Sequence, residues 1–140
     1  MQRDYILRMI EQAGTVLRAL LKRILRREVQ LDEVTRDLRQ AAALGGLDID
    51  LLRLGDENTV LLMVAPGGEP EPARTWLAAE MLYLDGLAAQ LDECREEAAL
   101  SFGKARLLFG LVAATGVFPS GFPEAAERIR DIDERLANPP

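Results

Sequence analysis

Residues 98–105 read AALSFGKA, and this spacing of small and large side chains decides the fold class. Ala98, Phe102 and Ala105 follow one another at intervals of four and three residues, so they lie on one stripe of a helix. Phe109 and Val112 continue that stripe. The pattern predicts a helix from about residue 92 to residue 114, packed at the centre of the fold.

The N-terminal part of the chain shows the same helical periodicity. Apolar residues recur at steps of four and three from Arg3 to about Glu28, which predicts an amphipathic helix. Asp32 and Glu33 open a second helix, and Gly45–Gly46 close it in the left-handed conformation typical of a helix C-terminus. We expect these helices to form a hairpin. Its buried residues are predicted to be Ile6, Ile10, Ala13, Leu17, Leu20, Ile24, Val34, Leu38, Ala41 and Ala42, with Met9, Val16, Leu21 and Leu25 widening the first stripe.

Two short segments follow the hairpin. Residues 47–54, LDIDLLRL, predict a short helix. Residues 59–65, TVLLMVA, form an apolar run that periodicity alone does not distinguish from a buried strand. A helix is favoured, because Asp56 suits an N-cap and no second strand is available to pair with this one.

The clearest break in composition is PGGEPEP, residues 66–72, which is rich in the residues that form turns. It divides the chain into two helical halves, 1–65 and 72–138, joined by the loop 66–71.

The next helix, from Ala73 to about Leu91, is apolar nearly all round and is expected to be buried on several sides. GVFPSGFP predicts a loop, after which Pro123 opens a last helix with one apolar face, formed by Ala125, Ile129, Ile132 and Leu136. We predict an all-α, single domain over residues 1–140: a compact bundle of helical hairpins with five to seven helices.

The composition of the chain indicates its cellular location and the kinds of partner that it can bind. The net charge of −6 disfavours nucleic acid, because a phosphate backbone requires a broad basic surface. The single cysteine, Cys94, cannot form an internal disulfide, and charges interrupt what would be the apolar part of a signal peptide. Residues 107–123 carry no charge but contain five glycines and prolines, so a membrane span is not expected. These features favour a cytoplasmic protein.

Catalytic and cofactor motifs are not expected. The chain contains no histidine, which excludes Ser-His-Asp and Cys-His arrangements and histidine-based metal sites. Cys94 is more often a small structural residue than a nucleophile. The acidic residues Asp92, Glu93, Glu96 and Glu97 suit the positive end of a helix dipole better than a bound cation. We therefore expect no enzyme, cofactor or metal site, although an enzyme that uses only carboxylates stays an alternative.

The first helix has a strong excess of positive charge. Residues 1–27 contain seven basic side chains against Asp4 and Glu11, a net of +5, so the rest of the chain must total −11. This basic helix could lie on an anionic membrane or hold an acidic partner. The favoured interpretation is structural: the cations complement the helix dipole, and acidic residues follow at once to neutralise them. The candidate basic patch consists of Arg18, Lys22, Arg23, Arg26 and Arg27.

Residues 82–110 resemble one tetratricopeptide repeat, a helix pair of about 34 residues. Gly86, Ala98, Phe102 and Ala105 match the small and large packing positions of that family. Asp85, Ala89 and Gly110 depart from its pattern, and Val34, Leu38 and Ala41 repeat part of the spacing in the first half. The chain is also similar to small bacterial proteins of unknown function built from such hairpins.

The resemblance implies a function in protein binding. Tetratricopeptide-like folds bind peptides or proteins on a concave face and carry no chemistry of their own, but the matched positions are packing residues, so no ligand contact is transferred. We expect a non-catalytic interaction or scaffold module whose partner is another protein or a second copy of the chain itself. The alternative is a protein that binds a small molecule, or an anionic membrane surface through the basic first helix.

Overall fold

The computed structural model describes residues 2–115, 119 and 121–138 and contains seven α-helices and no strand in that part of the chain. This confirms the all-α prediction and the expected number of helices. The helices are α1 (Gln2–Leu25), α2 (Leu31–Leu44), α3 (Ile49–Leu54), α4 (Glu57–Val64), α5 (Pro72–Leu91), α6 (Arg95–Ala113) and α7 (Ala125–Ala137).

Helices α1 and α2 pack as the predicted hairpin. The predicted stripes are buried from Ile10 to Ile24 on α1 and from Val34 to Ala42 on α2; the side chain of Ile6 lies outside the described residues. Helix α1 ends at Leu25, three residues before the predicted end. The cause is a left-handed residue, Arg27, at φ 59°, which lets the Glu28 amide donate to the carbonyl of Arg23 at 2.9 Å.

The middle segment is helical, as favoured from its sequence. Asp48 caps α3 by accepting from the amide of Asp50 at 2.9 Å, and Asp56 caps α4 by accepting from the amide of Thr59 at 2.8 Å. The hydrogen bond from Thr59 also lowers the pKa of Asp56. TVLLMVA therefore forms a capped helix, and the strand alternative is excluded.

Helix α5 lies at the centre of the molecule. It contacts α1, α2 and α3 of the first half and α6 of the second, and almost every residue from Ala73 to Ala89 is buried. Glu71 caps its start by accepting from the amide of Arg74 at 2.7 Å, so the predicted loop ends where Pro72 begins the helix. Residues of both halves thus share one hydrophobic core.

Helix α6 packs along α5 through residues 98–105. Phe102 is buried between the helices, as predicted, and Ala98 and Ala105 are buried beside it. A Cβ atom on Gly86 would lie 2.6 Å from the Phe102 ring, so only glycine leaves room for that ring. The predicted start of α6 near residue 92 is corrected to Arg95, because Glu93 adopts the left-handed conformation at φ 59° and ends α5.

Helix α7 closes the bundle against α6 and α5. Its predicted apolar face is buried at Ala125 and Ile132, half-buried at Ile129 and exposed at Leu136. Phe122, just before it, packs edge-on against Trp76 with ring centroids 4.9 Å apart. The rest of the predicted loop GVFPSGFP lies largely outside the described residues, which leave out 116–118 and 120.

A buried lysine attaches α3 to α6. Lys104 Nζ donates to the backbone carbonyls of Leu52 at 2.7 Å, Arg53 at 2.7 Å and Gly55 at 3.2 Å, which are the acceptors left over at the end of α3. Burial lowers the pKa of Lys104, and the nearby carboxylate of Asp85 opposes that effect.

We expect Lys104→Met to lower the free energy of unfolding by about 1–3 kcal/mol, because it leaves buried carbonyl groups without a donor. Chemical denaturation measures this loss. Lys22→Met is the matched control: Lys22, the other lysine of the chain, is exposed on α1, and its replacement should leave the midpoint unchanged. Equal effects of the two substitutions would contradict the assigned role of Lys104.

Candidate functional site

A groove opens where the C-terminal ends of α1, α5 and α7 meet the start of α6. Its volume is about 900 Å³, within the range of ligand-binding clefts. We call it the α1–α7 groove. It is lined by Ile24, Leu25, Arg27, Leu87, Gln90, Leu91, Glu93, Arg95, Glu96, Ala98, Ala99, Phe102, Arg135 and Leu136.

The groove has an apolar floor and an apolar edge. Four of its lining residues, Ile24, Leu87, Ala98 and Phe102, are buried and belong to the hydrophobic core. Three leucines from three different helices are exposed above them: Leu25 at 61%, Leu91 at 36% and Leu136 at 40%. Exposed leucines that lie together around one recess form a surface suited to an apolar partner.

Helix ends shape this recess. Both non-glycine residues with left-handed backbone among the described residues, Arg27 and Glu93, line the groove. Each follows the last turn of a helix, and the Cys94 amide donates to the Ala89 carbonyl at 2.9 Å to close α5. The chain therefore turns away sharply on both sides, which exposes Leu25 and Leu91 instead of burying them in longer helices.

Charged groups of both signs surround the leucines. Arg27 follows the end of α1, and Arg135 stands in the last turn of α7. Glu93 and Glu96 face the groove from the turn between α5 and α6 and from the first turn of α6. Arg95, the first residue of α6, also lines the groove. The charged lining residues of the α1 and α7 sides are therefore arginines, whereas the α6 side carries charges of both signs.

Arg135 is held in place by a hydrogen-bond network. Its Nε donates to Asp131 Oδ2 at 2.8 Å, and its Nη1 donates to Gln90 Oε1 at 3.0 Å. The Tyr83 hydroxyl donates to the same Asp131 oxygen. Burial and that hydrogen bond raise the pKa of Tyr83 to about 12. Burial alone would raise the pKa of Asp131, but the hydrogen bonds from Tyr83 and Arg135 lower it below its ordinary value.

A buried ion pair anchors α7 to α5 next to this network. Arg128 donates to Glu80 through Nη2 at 2.6 Å and Nε at 3.1 Å, and Glu80 is only 1% exposed. The Arg128 guanidinium also stacks over the Tyr83 ring, 4.3 Å from its centroid. Burial raises the pKa of Glu80, and the charge of Arg128 opposes that rise. The pair positions α7, and with it the Arg135 side of the groove.

The residues of the predicted basic patch have different surroundings. Arg23 turns toward α2, where it donates to Glu33 and, at 3.0 Å, to Asp37. Arg18 lies over the Phe122 ring at 5.8 Å. Lys22 and Arg26 are exposed, and Arg27 lines the groove. Sequence reasoning therefore placed one groove residue, Arg27, in its candidate patch.

The repeat-like positions are packing residues in the structure. Gly86 and Ala105 lie between α5 and α6, whereas Ala98 and Phe102 also contribute to the groove floor.

The sequence did not predict the exposed leucines, the Glu80–Arg128 pair or the role of Lys104. The available signal was Glu80 itself, a carboxylate inside a helix that is otherwise apolar on all sides.

The described residues give little support to a reactive thiol, a metal site or a membrane span. Cys94 is half-buried, and a hydrogen bond to Asp92 raises the pKa of its thiol, which disfavours the reactive thiolate. Over residues 2–115, 119 and 121–138, no three metal-binding side chains cluster. Within the same ranges, no helix has both the length and the apolar character needed to cross a bilayer.

The resemblance to tetratricopeptide repeats stays a prediction that rests on the four packing positions in α5 and α6. No protein-family model, no curated protein and no solved structure matches this chain.

Proposed function

We propose that this protein is a non-catalytic protein-interaction module that binds a helical segment of its partner in the α1–α7 groove. The observation that carries the proposal is the convergence of Leu25, Leu91 and Leu136 above an apolar floor. Amphipathic helices bind in such grooves through apolar residues spaced by three and four positions.

The dimensions and the surrounding charges support a helix as ligand. An α-helix with its side chains is about 10–12 Å wide, and a recess of about 900 Å³ accommodates the apolar side chains of a few turns. Charged residues around an apolar centre are typical of protein interfaces. The net charge of −6 favours a protein over a nucleic acid as partner.

The resemblance to tetratricopeptide repeats supports the same function, because that family binds protein segments and performs no chemistry. The single cysteine is in keeping with a cytoplasmic location, which we include as part of the proposal.

The test uses helical peptides selected from a display library against the wild-type protein. We expect their affinity to fall about thirtyfold or more for the variant Leu25→Glu/Leu136→Glu, because a charge then occupies the apolar contact. The matched control is Leu62→Glu/Leu100→Glu, which changes two leucines that are 74% and 68% exposed but lie outside the groove. Circular dichroism and thermal melting establish that all variants fold.

Two results would contradict the proposed site. Peptides that bind both double variants equally well would place the binding surface elsewhere. The membrane alternative is favoured by two exposed cations, Lys22 on α1 and Arg26 in the turn that follows Leu25. Salt-sensitive sedimentation with anionic vesicles that is abolished by Lys22→Gln/Arg26→Gln/Arg27→Gln would assign the first helix to a lipid surface instead.

A further inference from the structure

We infer that the segment bound in the α1–α7 groove is an acidic amphipathic helix, whose apolar stripe packs on the leucines and whose carboxylates pair with Arg27 and Arg135. This inference rests on the proposed function and adds the chemical class of the partner.

Arg135 is a preorganised donor. Two of its five N–H groups are used to fix the guanidinium, one on Asp131 and one on Gln90, and the side chain is still one-third exposed. Asp131 is itself held by Tyr83. A guanidinium oriented in this way loses little conformational entropy when it binds a carboxylate, so it favours that group over a neutral one.

Arg27 supplies the corresponding charge at the end of α1. Its backbone is held in the left-handed conformation by the turn that ends the helix, and its exposed side chain lines the groove. Lys22 on α1 and Arg26 in the turn after it are also exposed, so further positive charge lies near the end of α1. This arrangement attracts an acidic segment before contact and pairs with it afterwards.

Charges of both signs line the α6 side of the groove, where Glu93 and Glu96 stand together with Arg95. The charged lining residues of the α1 and α7 sides are both cations, Arg27 and Arg135. The partner helix therefore places its acidic residues opposite Arg27 and Arg135. The same glutamates, and the recessed position of the floor, disfavour an anionic membrane as occupant.

The experiment compares three synthetic peptides of about 16 residues, roughly 24 Å long when helical. They share one leucine stripe at helical spacing and differ only in the residues beside it, which are glutamate, glutamine or lysine. Fluorescence anisotropy against the wild-type protein measures their affinities. We expect the glutamate peptide to bind about tenfold more tightly than the glutamine peptide, and the lysine peptide to bind most weakly. The difference should shrink as the salt concentration rises from about 0.05 M to about 0.5 M.

Variants of the two arginines show which residues cause the preference for the glutamate peptide. Arg27→Asn/Arg135→Gln should remove the preference for glutamate while the glutamine peptide binds as before; asparagine is chosen because it tolerates left-handed backbone. The matched control is Arg8→Gln/Arg130→Gln, which removes one exposed arginine from α1 and one from α7, outside the groove, and should keep the preference.

The outcomes separate the inference from the proposed function. Equal affinity for all three peptides, lost in Leu25→Glu/Leu136→Glu, would overturn the acidic partner and leave the groove function standing. Loss of the preference in the control pair would place the acidic contact elsewhere. Dimerisation in analytical ultracentrifugation that the groove variants abolish would assign the groove to a second copy of the chain, and salt-sensitive binding to anionic vesicles would assign it to lipid; both results would overturn the inference.

Discussion

Phe102→Ala is expected to lower the free energy of unfolding by about 3–5 kcal/mol, because it removes a large side chain from the fully buried contact between α5 and α6. A loss of that size approaches the whole stability of an ordinary domain. Phe102 also stands beside Tyr83, with ring centroids 6.0 Å apart, and contributes to the groove floor. The cavity therefore weakens the core and the binding site together.

Chemical denaturation measures the effect of Phe102→Ala. Leu100→Ala is the control, since Leu100 lies on the same helix but is exposed, and its truncation should hardly change the midpoint. A loss below about 1 kcal/mol for Phe102→Ala would mean that the ring is not a core residue.

The contact between Gly86 and Phe102 refines this prediction. Gly86→Ala alone should destabilise the protein, because its Cβ atom would meet the ring at 2.6 Å and this overpacking outweighs the better helix propensity of alanine. In Gly86→Ala/Phe102→Leu the smaller side chain makes room for the methyl group. The double variant should therefore cost less than the sum of the single variants.

Glu80→Ala is expected to lower the free energy of unfolding by about 3–5 kcal/mol, because it leaves the mostly buried guanidinium of Arg128 without its carboxylate. The loss should be seen in chemical denaturation and in weaker packing of α7 on α5. Glu127→Ala is the control, since this glutamate is exposed on α7 and pairs with no arginine in the part of the chain that the structure describes.

A second substitution distinguishes the lost charge from the lost volume. Glu80→Met/Arg128→Met replaces the ion pair with two apolar side chains of similar length, so no buried charge is left unpaired. We expect this double variant to recover most of the stability lost in Glu80→Ala. If it is no more stable than Glu80→Ala, then the charge pair itself, with the stacking of Arg128 on Tyr83, holds α7 in place.

Local patterns predicted the helices well, because the forces that form a helix act between residues three or four positions apart. The N-cap of Asp56 resolved the ambiguous segment TVLLMVA, and Gly46 at φ 70° ends α2 as its glycine pair predicted. The predicted end of α1 and the predicted start of α6 were less accurate, whereas α5 ends at Leu91 as predicted. Arg27 and Glu93 take the left-handed conformation without being glycine or asparagine, so their sequence carries no stop signal.

The sequence by itself determined that the chain is helical, which face of α1 and α2 is buried, and that Phe102 packs in the core, since periodicity and composition act locally. Only the tertiary structure decided that Leu25, Leu91 and Leu136 meet in one groove, that Glu80 pairs with Arg128 and that Lys104 reaches the end of α3. Those partners lie far apart in the chain, and their meeting depends on how α1, α5, α6 and α7 are packed. No pattern within a single helix contains that information.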